Sequence, residues 1–225
     1  MTESAPTVAL IHATPAAMAP ARAAFADRFP QARVWNLLDD LLIGQAQEAG
    51  SVTAPLRRRM ERLIDHAVSG GADAVLLTCS MYGPVAHYVG RSSSVPVLAS
   101  DDALFDAVAG YRPRRVAVLG PVQAGVDDTV ARLLEHLGHG ATEVVGCVVD
   151  GAASAAAAGD LGQLEQLVTT VARSVEMSAD VIVLGQFSLS PAAGAVAAAV
   201  AVPVLSPPQL AAEALSARLA TAGMA

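Results

Sequence analysis

The chain reads as an α/β protein of two pseudo-twofold-related, doubly wound parallel-sheet domains, with the active site expected in the cleft between them. Three observations predict this. Apolar runs recur at a near-constant spacing: Val8-Ala9-Leu10-Ile11 is answered by Val116-Ala117-Val118-Leu119, an offset of 108. Val75-Leu76-Leu77-Thr78 is answered by Val181-Ile182-Val183-Leu184 (106), and Val95-Pro96-Val97-Leu98 by Val202-Pro203-Val204-Leu205 (107). Such self-similarity marks a duplicated supersecondary unit. Strand-like and helix-like segments alternate, which implies parallel strands with helices on both faces. Finally, 53% of residues are hydrophobic and only 16% charged, as strands buried on both faces require.

Taken in order, residues 8–12 read as a buried strand, followed by a Thr-Pro break and an Ala-rich helix over 16–29. Residues 32–38 form a second strand closing on Asp39-Asp40, and 44–54, without clear periodicity, read as a loop or weak helix able to cap the cleft. Residues 55–69 are an amphipathic helix with Leu56, Met60, Leu63, Ile64 and Ala67 on one face, stopped by Gly70-Gly71. The strand 74–78 then delivers Cys79, and a helix begins near 84–89. The second copy repeats the order: strand 115–119, helix 124–137, strand 142–148, helix 161–177 and strands 181–185 and 202–205. A closing helix, 209–221, is expected to pack on the first half, giving domains 1–100 plus 206–225 and 101–205.

Composition excludes several functions. The net charge of −7 argues against nucleic acid, whose phosphates call for a basic surface. All 14 basic residues are Arg, so neither a lysine Schiff base nor a P-loop lysine is available. No apolar stretch reaches membrane-spanning length, and the N-terminus lacks the basic region of a secretory signal. Two cysteines at unrelated points of the repeat form no disulfide framework, which makes a cytoplasmic location the default. No zinc-type ligand spacing occurs, and His136 and His139 read as residues capping or flanking a helix end.

Cys79 is the first candidate for chemistry. It follows a buried strand and precedes a helix start, where backbone N–H groups favour a thiolate. Cys147 lies within an apolar run and reads as structural, and Arg57-Arg58-Arg59 as a solvated helix face. Shifted by 107, Cys79 falls on Gln186, whose amide cannot titrate. The cleft is therefore expected to be chemically lopsided.

The stretch Leu76-Leu77-Thr78-Cys79-Ser80-Met81-Tyr82-Gly83-Pro84 resembles the first cysteine motif of the aspartate/glutamate racemase superfamily. So do Leu10-Ile11-His12-Ala13-Thr14-Pro15 and the stretch from Asp150-Gly151-Ala152 through Gly159-Asp160. The resemblance implies two pseudo-symmetric α/β halves, no cofactor, a small carboxylate substrate and, as relatives are often dimers, a homodimer to be tested for. It also implies that Cys79 is catalytic. Members include amino-acid and hydantoin racemases, maleate isomerase and arylmalonate decarboxylase, and the racemases use two cysteines on opposite faces of an α-carbon. Here Val183-Leu184-Gly185-Gln186-Phe187-Ser188 stands where the second cysteine motif belongs. A two-base racemase needs a proton donor and acceptor on opposite faces. One thiol suits one-face chemistry: proton transfer at the α-carbon, decarboxylation of a malonate-type acid, or cis-trans isomerisation with Cys79 as nucleophile. A carboxylate-binding protein without chemistry is the rival. Each route builds charge on a carboxylate, so Thr14, Thr78, Ser80, Tyr82, Gln186, Phe187 and Ser188, with His12 at the first strand's end, are the candidate substrate contacts.

Overall fold

The structure, a computed structural model, describes residues 5–138 and 140–222. The chain divides into two compact units, Met1–Ser100 with Ala211–Ala225, and Asp101–Leu210.

In the first unit β1 (Thr7–His12), β2 (Arg33–Leu38), β3 (Ala74–Leu77) and β4 (Val97–Leu98) form a parallel sheet of order β2-β1-β3-β4. The helices α1 (Met18–Arg28), α2 (Leu41–Glu48), α3 (Ala54–Ser69) and α4 (Gly83–Gly90) flank it. The two central strands are buried almost throughout, which is why they read as unbroken apolar runs without alternation. On α3, Leu56, Met60, Ile64 and Ala67 recur every three to four residues and pack in one cluster with Val75 and Leu77 of β3. The 44–54 segment is helical earlier than its sequence suggests. α2 starts at Leu41, and only Leu42 and Ala46, one turn apart, are buried on it.

In the second unit β5 (Arg115–Gly120), β6 (Glu143–Val148), β7 (Val181–Leu184) and β8 (Val204–Leu205) repeat the arrangement as β6-β5-β7-β8. Its helices are α5 (Asp102–Tyr111), α6 (Gln123–Leu137), α7 (Ala152–Ala158), α8 (Leu161–Val175) and α9 (Ala193–Ala199). The last helix, α10 (Pro207–Ala222), belongs to the first unit from Ala211 onward, where Glu213 accepts from Arg28 of α1 at 2.9 Å. α5, α7 and α9 are additions to the sequence reading.

The strand register corrects one spacing. Ala9 pairs with Val75 and Ala117 with Ile182, while Val75 pairs with Val97 and Ile182 with Val204. The third strands are therefore related by 107 residues, as the fourth are, and not by 106. The same carboxylate device sets this phase in both copies. Asp73 Oδ2 accepts the Thr7 N–H (2.7 Å) while its own N–H donates to the Thr7 carbonyl (2.7 Å). Asp180 Oδ2 accepts the N–H groups of Arg114 (2.7 Å) and Arg115 (2.9 Å), and its N–H donates to the Arg115 carbonyl (2.9 Å). Those two backbone donors hold the Asp180 carboxyl below its ordinary value.

Candidate functional site

In parallel α/β sheets, ligands gather outside the carboxyl ends of the strands. Cys79 lies two residues past β3 in extended conformation (φ −112°, ψ 118°) and caps a 3-10 turn, Ser80–Tyr82, that leads into α4. Gln186 lies two residues past β7 (φ −140°, ψ 147°) and caps the 3-10 segment Phe187–Ala192 that leads into α9. Hydrogen bonds around the two agree in kind. Thr78 N–H donates to the Ile11 carbonyl (3.0 Å) and Gly185 N–H to the Leu119 carbonyl (2.8 Å). Tyr82 N–H donates to the Cys79 carbonyl and Leu189 N–H to the Gln186 carbonyl, both at 3.1 Å. The thiol and the amide thus hold the same position in their respective units. Cys79 is 9% exposed.

Beside Cys79, the first unit holds a polar group of three, of which His12 and Thr78 are buried and Asn36 is half-buried. His12 is fully buried, with Nδ1 2.9 Å from Thr78 Oγ1 and Nε2 3.0 Å from Asn36 Oδ1. Thr78 Oγ1 also lies within hydrogen-bonding reach of the Ile11 carbonyl (3.3 Å). Burial pulls the His12 imidazole below its usual value of 6.5, with the Asn36 hydrogen bond opposing in part. A histidine with a lowered folded-state value adds stability above its unfolded value. That stability is lost as pH falls from about 6.5 toward the folded value. Chemical denaturation of the parent from pH 7 to 5.5 should therefore show a loss of up to about 1.4 kcal/mol per pH unit from this group. His12→Gln should remove that slope.

Tyr82 is fully buried, and its hydroxyl donates to the Leu42 carbonyl of α2 at 3.0 Å. Burial, then the nearby charges of Cys79 and Asp39, push its phenol up to about 12, against the Arg59 guanidinium. Arg59 Nε and Nη2 grip both oxygens of Asp39 at 2.5 and 2.7 Å, and Nη1 reaches Gln45 of α2 at 3.3 Å. Within Arg57-Arg58-Arg59, then, only the first two are solvated; Arg59 is half-buried and committed to an ion pair. The polar groups of His12, Thr78 and Tyr82 all have partners inside their unit. Thr14, before a 3-10 turn at Pro15–Ala17, makes no side-chain capping bond, and Ser80 is half-buried.

In the second unit a Cβ on Gly125, in the first turn of α6, would collide with the Gln186 amide nitrogen. The missing side chain is what lets Gln186 lie there. Because the obstacle is the far end of a flexible chain, Gly125→Ala should swing Gln186 aside and still gain up to about 1 kcal/mol of helix propensity. A raised melting temperature with altered amide resonances of Gln186 would show this. Phe187 is buried and Ser188 half-buried. Burial raises the thiol of Cys147, which stands half-buried on the edge strand β6. His136 lies 3.2 Å from Asp106 and packs on the Phe105 ring, whereas His139 falls outside the described residues. No metal-holding group of three His, Cys, Asp or Glu and no membrane-spanning helix occurs among the described residues.

Sequence reasoning passed over Asn36, Asp39 and Gly125. Asn36 carried a signal, an amide in the middle of the strand Arg-Val-Trp-Asn-Leu-Leu. Asp39 and Gly125 carried none without the partners the fold supplies.

Residues 9–215 match the family profile described as Asp/Glu/Hydantoin racemase. A search of curated proteins found no significant match. Among solved structures, glutamate racemase from Francisella tularensis subsp. tularensis SCHU S4, in complex with D-glutamate, is similar with a TM-score of 0.73. Identity there is 14%, over 98% of this chain and 83% of that one. Allantoin racemase from Klebsiella pneumoniae has a TM-score of 0.73 at 15% identity, over 96% of this chain and 89% of that one. A double mutant of arylmalonate decarboxylase in its liganded form has a TM-score of 0.64 at 22% identity, over 97% and 94%. At these identities the structures speak for the fold.

Proposed function

Since the chain belongs to the Asp/Glu/hydantoin racemase family, we infer that it is a cofactor-independent enzyme acting at the α-carbon of a small carboxylate through Cys79. One observation carries the reading: the same position after the third strand holds a thiol in one unit and an amide in the other. Cys79 removes or delivers a proton at one face of the α-carbon. Gln186 donates a hydrogen bond but exchanges no proton, so inversion by two thiols is closed to this chain. The enediolate charge on the substrate carboxylate is met by donors at the strand ends. Thr14, Ser80, Ser188 and the Gln186 amide are the side chains suited to this, together with the N–H groups of the turn after Cys79.

A second reading draws on the same asymmetry. Loss of carbon dioxide from a substituted malonate leaves its electron pair on the α-carbon, so no base is needed. The Cys79 S–H then delivers the one proton required. Attack of Cys79 on an activated alkene, with rotation and release of a cis-trans isomer, likewise uses a single thiol. Incubating the protein with small mono- and dicarboxylates in deuterated water, followed by NMR, reads all three reactions at once. Cys79-dependent deuterium uptake supports α-proton transfer, product loss of a carboxylate supports decarboxylation, and alkene shifts support isomerisation. If no compound reacts, yet some protect Cys79 from iodoacetamide, the protein is a carboxylate binder.

A further inference from the structure

We propose that His12 and Asn36, acting through Thr78, are positioning residues for Cys79: a largely buried clamp that holds the strand end after which Cys79 stands. The inference rests on Cys79 being the reactive group, and it begins from a comparison the duplicated fold makes available. The register that equates Cys79 with Gln186 also equates His12 with Gly120, Asn36 with Gly146 and Thr78 with Gly185. Asn36 pairs with Leu10 as Gly146 pairs with Val118. His12 and Gly120 each follow the residue paired with the last residue of the third strand, Leu77 or Leu184. All three polar residues of the first unit are glycines in the second.

The space they occupy is filled differently there. A Cβ at Gly120 would lie 2.6 Å from Val126 Cγ2 and a Cβ at Gly146 would collide with the same valine, while one at Gly185 would meet Val118 Cγ1 at 3.2 Å, the Leu119 carbonyl at 3.3 Å and the Thr129 methyl at 3.4 Å. The same sheet therefore folds with an apolar plug from α6 where the first unit carries an imidazole, an amide and a hydroxyl. Burying His12 and Thr78 is costly unless each is satisfied, and the scaffold does not require them. What separates the two units at this point is the residue that follows: a thiol after Thr78, an amide after Gly185.

The clamp has a definite mechanical effect. In the first unit the Ile11 carbonyl lies within bonding distance of both the N–H (3.0 Å) and the hydroxyl (3.3 Å) of Thr78. In the second, the Leu119 carbonyl receives the Gly185 N–H (2.8 Å), and glycine has no hydroxyl to add. The His12 Nε2–H donates to Asn36 Oδ1, so Nδ1 of the neutral ring accepts the single Thr78 O–H proton, and the Ile11 carbonyl keeps the Thr78 N–H. With residue 78 fixed by side chain and backbone together, Cys79 stays extended at the head of its turn. Without the clamp, residue 79 is free to rotate into the turn.

The test reads the thiol directly and needs no substrate. Rates of Cys79 alkylation by iodoacetamide are measured from pH 6 to 10 on the parent and on Thr78→Val, Asn36→Ala, His12→Leu and His12→Gln, with Cys147→Ser as common background. The melting temperature is recorded for each. We expect Thr78→Val, Asn36→Ala and His12→Leu to move the alkylation midpoint to higher pH and slow the reaction at pH 7 about tenfold per unit moved. His12→Gln, which keeps hydrogen-bonding groups, should recover most of the parent rate. Variants that melt lower but alkylate like the parent would overturn the proposal, since the network would then serve only the fold. The isosteric Thr78→Val decides the matter if His12→Leu does not fold. A normal alkylation response with no turnover on any carboxylate would count against the enzymatic reading and leave the clamp standing.

Discussion

Cys79→Ala is expected to lower turnover on any carboxylate the parent processes by about 10²–10⁴ while leaving a folded protein. Cys79 follows the third strand of its unit, where the counterpart in the other unit, Gln186, does not titrate, and no second thiol stands ready to replace it. Cys147 sits on an edge strand, with its thiol raised by burial and so poorly ionised. The substitution removes one sulfur from a site 9% exposed, for a stability cost of about 1 kcal/mol. Activity and urea denaturation measured side by side separate the two effects. Full activity in a folded Cys79→Ala protein would require another proton donor and would end the one-thiol reading.

Gln186→Cys is the complementary gain. A shorter side chain fits the space that Gly125 leaves for Gln186, and the extended backbone of residue 186 matches that of Cys79. A second thiol supplies what two-base inversion lacks, so α-deuterium exchange accompanied by inversion should rise by about 10²–10⁴. Chiral chromatography of a single enantiomer incubated in deuterated water distinguishes exchange with inversion from exchange with retention. Exchange unchanged from the parent would mean that residue 186 does not meet the α-carbon.

Much of this was legible in the chain because the duplicated segments are buried strands, whose apolar runs survive as sequence patterns. The same property hid their phase. Val-Leu-Leu and Val-Ile-Val have no polar residue inside them to fix alignment, so the third strands appear 106 residues apart by sequence and stand 107 apart in register. The groups that set the phase, Asp73 and Asp180, lie outside the runs and act on backbone N–H groups. α7 and α9 escaped notice because alanine-rich stretches give a helix no apolar face to recognise. α2 reads in sequence only as a loop or weak helix because its order comes from outside itself, through the Tyr82 hydroxyl on Leu42 and Arg59 on Gln45. At the site, sequence singled out Thr78 and Tyr82 by their nearness to Cys79 and His12 by its place at the end of the first strand. It did not reveal that their polar groups turn inward, because Asn36 and Leu42 are remote along the chain.

Val126 has a practical consequence for anyone hoping to make the halves alike. Installing histidine at 120 or asparagine at 146 would drive a Cβ into Val126 of α6, and threonine at 185 would press on Val118 Cγ1 and the Leu119 carbonyl. A functional transplant at 120 and 146 must trim that valine in the same step. Mutational drift, which changes one codon at a time, meets a steep barrier on that route, so the asymmetry is self-preserving.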